Sequence, residues 1–89
     1  MSVQDVSDII RDFLAGIGVP GVRVSCENAG DGFVLVRGFN TTVRKHTLEF
    51  QGVEYVTVVI QPLLNKFQRR GWTANSHGPD HDDLVVRTM

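Results

Sequence analysis

Eighty-nine residues are enough for one domain, residues 1–89, with a modest core. An apolar fraction of 42% and a charged fraction of 21% are those of a folded globular chain and argue against disorder. A formal net charge of -1 removes any whole-molecule electrostatic case for nucleic acid or membrane, so only a local patch could support one.

A single cysteine, Cys26, can make no internal disulfide. The opening MSVQDVSD has no signal-peptide character, so a cytoplasmic setting is expected. The longest apolar run, residues 53–64, is broken by Glu54, Thr57, Gln61 and Pro62. It is too short and too polar to span a bilayer, and no membrane partner is expected.

The chain opens on a helix. Ser2 can cap it and Asp5 sits at its third position. Val6, Ile9, Ile10, Phe13, Leu14 and Ile17 recur at spacings of three and four, with Asp5, Asp8 and Asp12 opposite. Gly18 is a left-handed stop, Val19 is placed to contact Leu14, and Pro20 prevents continuation.

An antiparallel meander is predicted next. GVRVSCEN alternates Val22, Val24 and Cys26 against Arg23, Ser25 and Glu27, as a half-buried strand does. Asp31-Gly32 supplies a turn. FVLVRGF is apolar on both sides, which suits a central strand. FNTT turns the chain again, and VRKHTLEF reads as a third strand.

Residues 53–70 mix signals. Their β-branched density favours a strand to Ile60. Their periodicity favours a helix with Val53, Val56, Ile60, Leu63, Leu64 and Phe67 on one stripe and Glu54, Thr57, Gln61, Asn65 and Gln68 on the other. One long helix is predicted, kinked at Pro62 and ended by Gly71 with Trp72 against Phe67. The competing reading is a strand over 53–60 and a short helix from Pro62. TANSHGPDHDD reads as a polar loop and LVVRT as a last strand. No internal repeat is visible.

The predicted fold is therefore α+β, in the order α-β-β-β-α-β. A single, mainly antiparallel sheet of about four strands would carry two helices on one face. The opposite face would stay open and present Phe33, Leu35, Arg37 and Phe39. The run α-β-β-β-α resembles that of double-stranded-RNA-binding domains. Those carry lysines at the start of the second helix, where this chain has GVEYV, so no residue is carried over.

The densest chemical signal is HGPDHDD, residues 77–83. His77, Asp80 and His81 are metal-ligand types, but Gly78-Pro79 breaks the helical turn that would aim both imidazoles at one point. Aspartates in such a loop serve its own hydrogen bonds, and no metal is expected. Cys26 and His46 match no nucleophile motif, and Cys26 shares the buried side of its strand. No phosphate loop is present, because GDGFVLVRG enters a strand instead of a helix. No cofactor and no catalytic residue are predicted, and the chain is not expected to be an enzyme.

Two function classes remain. The first is a small interaction module binding a protein partner or a second copy through the exposed sheet face, as an adaptor, assembly component or small inhibitor of phage or mobile-element type. The second is a nucleic-acid binder using Arg37, Arg44 and Lys45 on a basic hairpin with Lys66, Arg69 and Arg70 at the second helix's C-terminal end.

Overall fold

A computed structural model describes residues 2–19, 21–46, 53–78 and 81–88, apart from the side chains of Ser2 and Val53. Pro20, residues 47–52, Pro79, Asp80 and the two terminal methionines lie outside the described residues. So do the expectations for Ser2 as a cap, for Pro20 as a stop, for the TLEF half of the third strand and for Asp80 as a ligand.

Helix α1 spans Ser2–Gly16. Val6, Ile10, Phe13 and Leu14 are buried along one side. Its end is the Schellman closure read from the sequence: Val19 N–H donates to Leu14 O at 2.8 Å, Gly18 N–H donates to Ala15 O at 3.1 Å, and Gly18 takes φ 85°. Strands β1 (Ser25–Asn28) and β2 (Phe33–Arg37) follow as a hairpin.

The predicted third strand is instead a helix, α2, over Phe39–His46. Phe39 and Val43, four residues apart, are both fully buried. That spacing is helical, and it outweighs the weaker alternation of VRKH. What fixes the helix is distant in sequence. Asp83 Oδ1 accepts Gly38 N–H at 2.7 Å, Asp82 O accepts Asn40 N–H at 3.0 Å, and Asp82 Oδ1 accepts Thr41 N–H at 2.6 Å. These are the donors a helix leaves unpaired at its start.

Residues 53–68 form one continuous rod, α3, as the periodicity predicted. It comprises an α-turn at Val53–Tyr55, a π-turn at Val56–Ile60 and an α-segment at Gln61–Gln68. The π-turn lies directly ahead of Pro62, whose ring would clash with the carbonyl four residues back and which has no N–H to donate. Gln61 N–H reaches back to Val56 O, five residues away. The π-turn also changes the buried stripe. Tyr55, Val59, Leu63 and Phe67 face the core and Val56 is 50% exposed, whereas the sequence pattern put Val56 inside. Spacings of four over-rotate a regular α-helix; a turn bonded over five residues rotates less per residue and brings the stripe back into line. Trp72 N–H donates to Phe67 O at 3.0 Å and Gly71 N–H to Gln68 O at 2.9 Å, a second Schellman closure.

Strand β3 (Thr73–His77) was predicted as loop; β4 (Asp83–Arg87) is the predicted last strand. TANSH has little strand propensity of its own. It is extended because five of its residues pair with β4, and pairing outweighs intrinsic preference at a sheet edge. The protein thus has an α+β fold with a four-stranded antiparallel sheet in the order β1-β2-β4-β3. Among the described residues the element order is α-β-β-α-α-β-β, so three helices replace the predicted two, and the likeness to the double-stranded-RNA-binding order ends at β2.

The order hides an architectural repeat. Helix, glycine stop and hairpin occur twice, as α1-β1-β2 and α3-β3-β4. In each half the second strand is central and the helix packs on the first. Because β2 and β4 run antiparallel, an approximate two-fold axis normal to the sheet relates the halves. With β2 laid on β4, Leu35 falls on Val85, and these two are also cross-strand partners, so the axis passes between them. The halves share no visible sequence repeat.

Candidate interaction surface

Strand alternation and the antiparallel register assign each sheet residue to a side. The inner side carries Cys26, Val34, Val36, Leu84, Val86 and Ala74, which join the core formed with the three helices. The outer side forms three rows across β1, β2, β4 and β3. The first is Ser25, Arg37, Asp83 and His77. The second is Glu27, Leu35, Val85 and Asn75. The third is Phe33, Arg87 and Thr73, with Ala29 beside Phe33 at the β1 end. None of these residues is buried, so among the described residues nothing covers this side.

The outer side has an apolar centre and a polar rim. Phe33 is 40% exposed, and Leu35 and Val85 are half-buried. Ala29, Phe33, Leu35, Val85, Asn75 and His77 border a shallow depression of about 420 Å³. Arg37 donates to Glu27 across the hairpin at 2.6 Å, and this contact raises the guanidinium pKa further. Two cations, Arg37 and Arg87, balance two anions, Glu27 and Asp83, so the surface is charge-neutral.

Phe33, Leu35 and Arg37 lie on this surface as the sequence predicted. Phe39 does not: it is 0% exposed, the first residue of α2, and packed into the core. The positive φ of Gly38, 63°, turns the chain off the sheet before Phe39 and ends the alternation. Sequence reasoning missed Glu27, Asp83, Val85, Arg87 and Asn75, because β3 was read as loop and the β2–β4 pairing was not anticipated. A usable signal was present: both Gly-plus-apolar helix stops, Gly18-Val19 and Gly71-Trp72, lead into a hairpin.

The basic residues separate into three groups. Arg37 is on the outer side of the sheet. Arg44 and Lys45 end α2, which packs on the inner side, with the Arg44 guanidinium 4.4 Å from the centroid of the Tyr55 ring. Lys66, Arg69 and Arg70 lie at the far end of α3, beginning about 16 Å along the rod from Tyr55 at 1.5 Å a residue. Lys66, Arg69 and Arg70 border a depression shared with Ile9 and Asp12, and Arg70 stands 5.4 Å from the Trp72 ring. The basic hairpin does not form, since Arg44 and Lys45 are helical.

The described residues of HGPDHDD make contacts that hold α2. Beyond the three contacts from Asp82 and Asp83 to the start of α2, Asp82 Oδ1 accepts the Thr41 hydroxyl at 2.7 Å and His81 O accepts Asn40 Nδ2 at 2.7 Å. Asn40 Oδ1 in turn accepts the Tyr55 hydroxyl at 2.6 Å, joining the loop to α2 and α3. No group of three or more metal-ligand side chains converges among the described residues. Burial pushes the Cys26 thiol pKa up, opposed by a hydrogen bond with Ser7, and a thiol so placed is a poor nucleophile at neutral pH. His46 Nδ1 is engaged by Thr42 O at 3.0 Å.

No protein-family model matches the chain, and no curated protein or solved structure matches it. Function has to be read from the surface itself. No helix among the described residues is long and apolar enough to cross a membrane.

Proposed function

We propose that the protein is a small non-catalytic interaction module that binds a protein partner through the outer side of its sheet. One observation carries this: among the described residues, all three helices pack on the inner side, and none covers Phe33, Leu35 and Val85 at the centre of the other. An apolar centre ringed by polar groups is the composition of a protein contact surface. Its charge neutrality favours protein over a phosphate polymer, which needs a net excess of cations along one track.

The test compares the chain with Leu35→Arg as immobilised baits in extract of the native host. A protein retained by the first and lost from the second is expected; identical retention by both overturns the reading. Nucleic-acid binding would instead show as salt-dependent retention on DNA or RNA that survives Leu35→Arg and disappears in an Arg44→Ala, Lys45→Ala double variant.

A further inference from the structure

We infer that the occupant of the outer sheet face is a second copy of the same chain, packed face to face about a two-fold axis parallel to the strands. This rests on the proposed use of that face as a contact surface and goes on to name what covers it.

A surface that pairs with itself must be complementary to its own rotated image. Rotation about an axis along the strands keeps each row and reverses the order of the strands. Leu35 then lies over the partner's Val85, and Val85 over the partner's Leu35. Arg37 lies over the partner's Asp83. Arg87 lies over the partner's Phe33, where guanidinium and phenyl ring attract each other. Glu27 meets the partner's Asn75, and Ser25 the partner's His77. Every charge on the surface meets an opposite charge, a ring or a neutral polar group.

The other rotation that brings the faces together has its axis across the strands. It also puts Asp83 over the partner's Arg87 and Arg37 over the partner's Phe33. It lays Glu27 on the partner's Glu27, however, and like charges brought face to face repel. The axis along the strands avoids this. Both rotations keep the strands of the two sheets nearly aligned, the common packing of one sheet on another, so the Glu27 repulsion decides between them.

Size sets the strength. Four strands about 4.8 Å apart and five residues about 3.4 Å each give a patch of about 19 by 17 Å. That is about 320 Å² on each copy and about 650 Å² in all, below the ~1,200 Å² of stable complexes, so weak, transient pairing in the hundred-micromolar range is expected.

Sedimentation of the full chain from about 5 μM to 1 mM should show a reversible monomer–dimer equilibrium. Leu35→Glu and Val85→Lys should each weaken it at least about tenfold. An equimolar mixture of the two variants should re-pair, because this axis sets the new carboxylate of one against the new ammonium of the other. Re-pairing would not follow from the crosswise axis, which sets each new charge against an unchanged apolar residue. Unfolding curves confirm that both variants fold. Should either fail, Arg87→Ala, at an exposed site, is expected to weaken pairing several-fold. A dimer indifferent to these substitutions, or variants that stay apart when mixed, overturns the inference. A monomer up to 1 mM overturns it too, but leaves the contact-surface reading to stand or fall on the bait comparison with Leu35→Arg.

Discussion

The two sides of this sheet are built from the same strands in alternate residues, yet they have opposite fates. On β2, Val34 and Val36 are sealed under the helices while Phe33 and Arg37 are in solvent. On β4, Leu84 and Val86 are sealed while Arg87 is exposed. The sealed side is made of branched aliphatics that pack densely under helices. The open side mixes the Phe33 ring and the aliphatic Leu35 and Val85 with four charges and several neutral polar groups. One side therefore holds the stability of the fold, and the other can change chemically at little cost to it. In a chain this small, with a modest core, that division leaves the open side free to bind.

Two phenylalanines test the comparison most strongly. Phe39→Ala is expected to cost about 3–5 kcal/mol in urea denaturation, since it empties a fully buried site. Phe33→Ala, on the open side, should cost less than about 1 kcal/mol. The reverse order would mean that the sides have been exchanged.

Asp82→Ala comes next. It removes the carboxylate that holds the N–H and hydroxyl of Thr41, so a loss of about 1–2 kcal/mol is expected by the same denaturation. A loss no larger than that of His77→Ala would mean that the loop does not cap α2.

Tyr55→Phe should cost about 1 kcal/mol at neutral pH through its bond to Asn40. It should also change the alkaline limb. Burial pushes the Tyr55 pKa up to about 12, above the unfolded value near 10, with Arg44 partly opposing the shift. The folded state thus holds the phenolic proton more tightly. The stabilisation is complete below pH 10 and is lost as pH rises from about 10 to about 12. Stability measured against pH should fall more steeply over that window in the unmodified chain than in Tyr55→Phe; parallel curves would contradict the burial.

The smallest effect belongs to the outer centre. Leu35→Arg should change folding stability by under about 0.5–1 kcal/mol while abolishing partner binding.

What was legible in the sequence follows from how local its cause was. α1 and α3 have long periodic stripes and glycine stops whose hydrogen bonds stay within six residues, and both were read correctly apart from the stripe rotated by the π-turn ahead of Pro62. α2 and β3 were misread because their causes are distant. Asp82 and Asp83 cap a helix that begins more than 40 residues earlier, and β3 is extended only because β4 lies beside it. Phe39 was misplaced for the same reason: strand alternation was carried past Gly38, where the backbone leaves the sheet. The opening of one sheet face was legible from a central strand apolar on both sides. Its charge balance was not, since Asp83 and Arg87 join Glu27 and Arg37 only through the register between β2 and β4.

The difference between the two sides can be measured directly by paramagnetic solvent relaxation of side-chain methyl groups in dilute monomer. Strong enhancement is expected at Leu35 and Val85 and almost none at Val34, Val36 and Val86. Leu35 and Val85 shielded as fully as their inner neighbours would show that the chain covers both sides of its sheet, and would contradict the account.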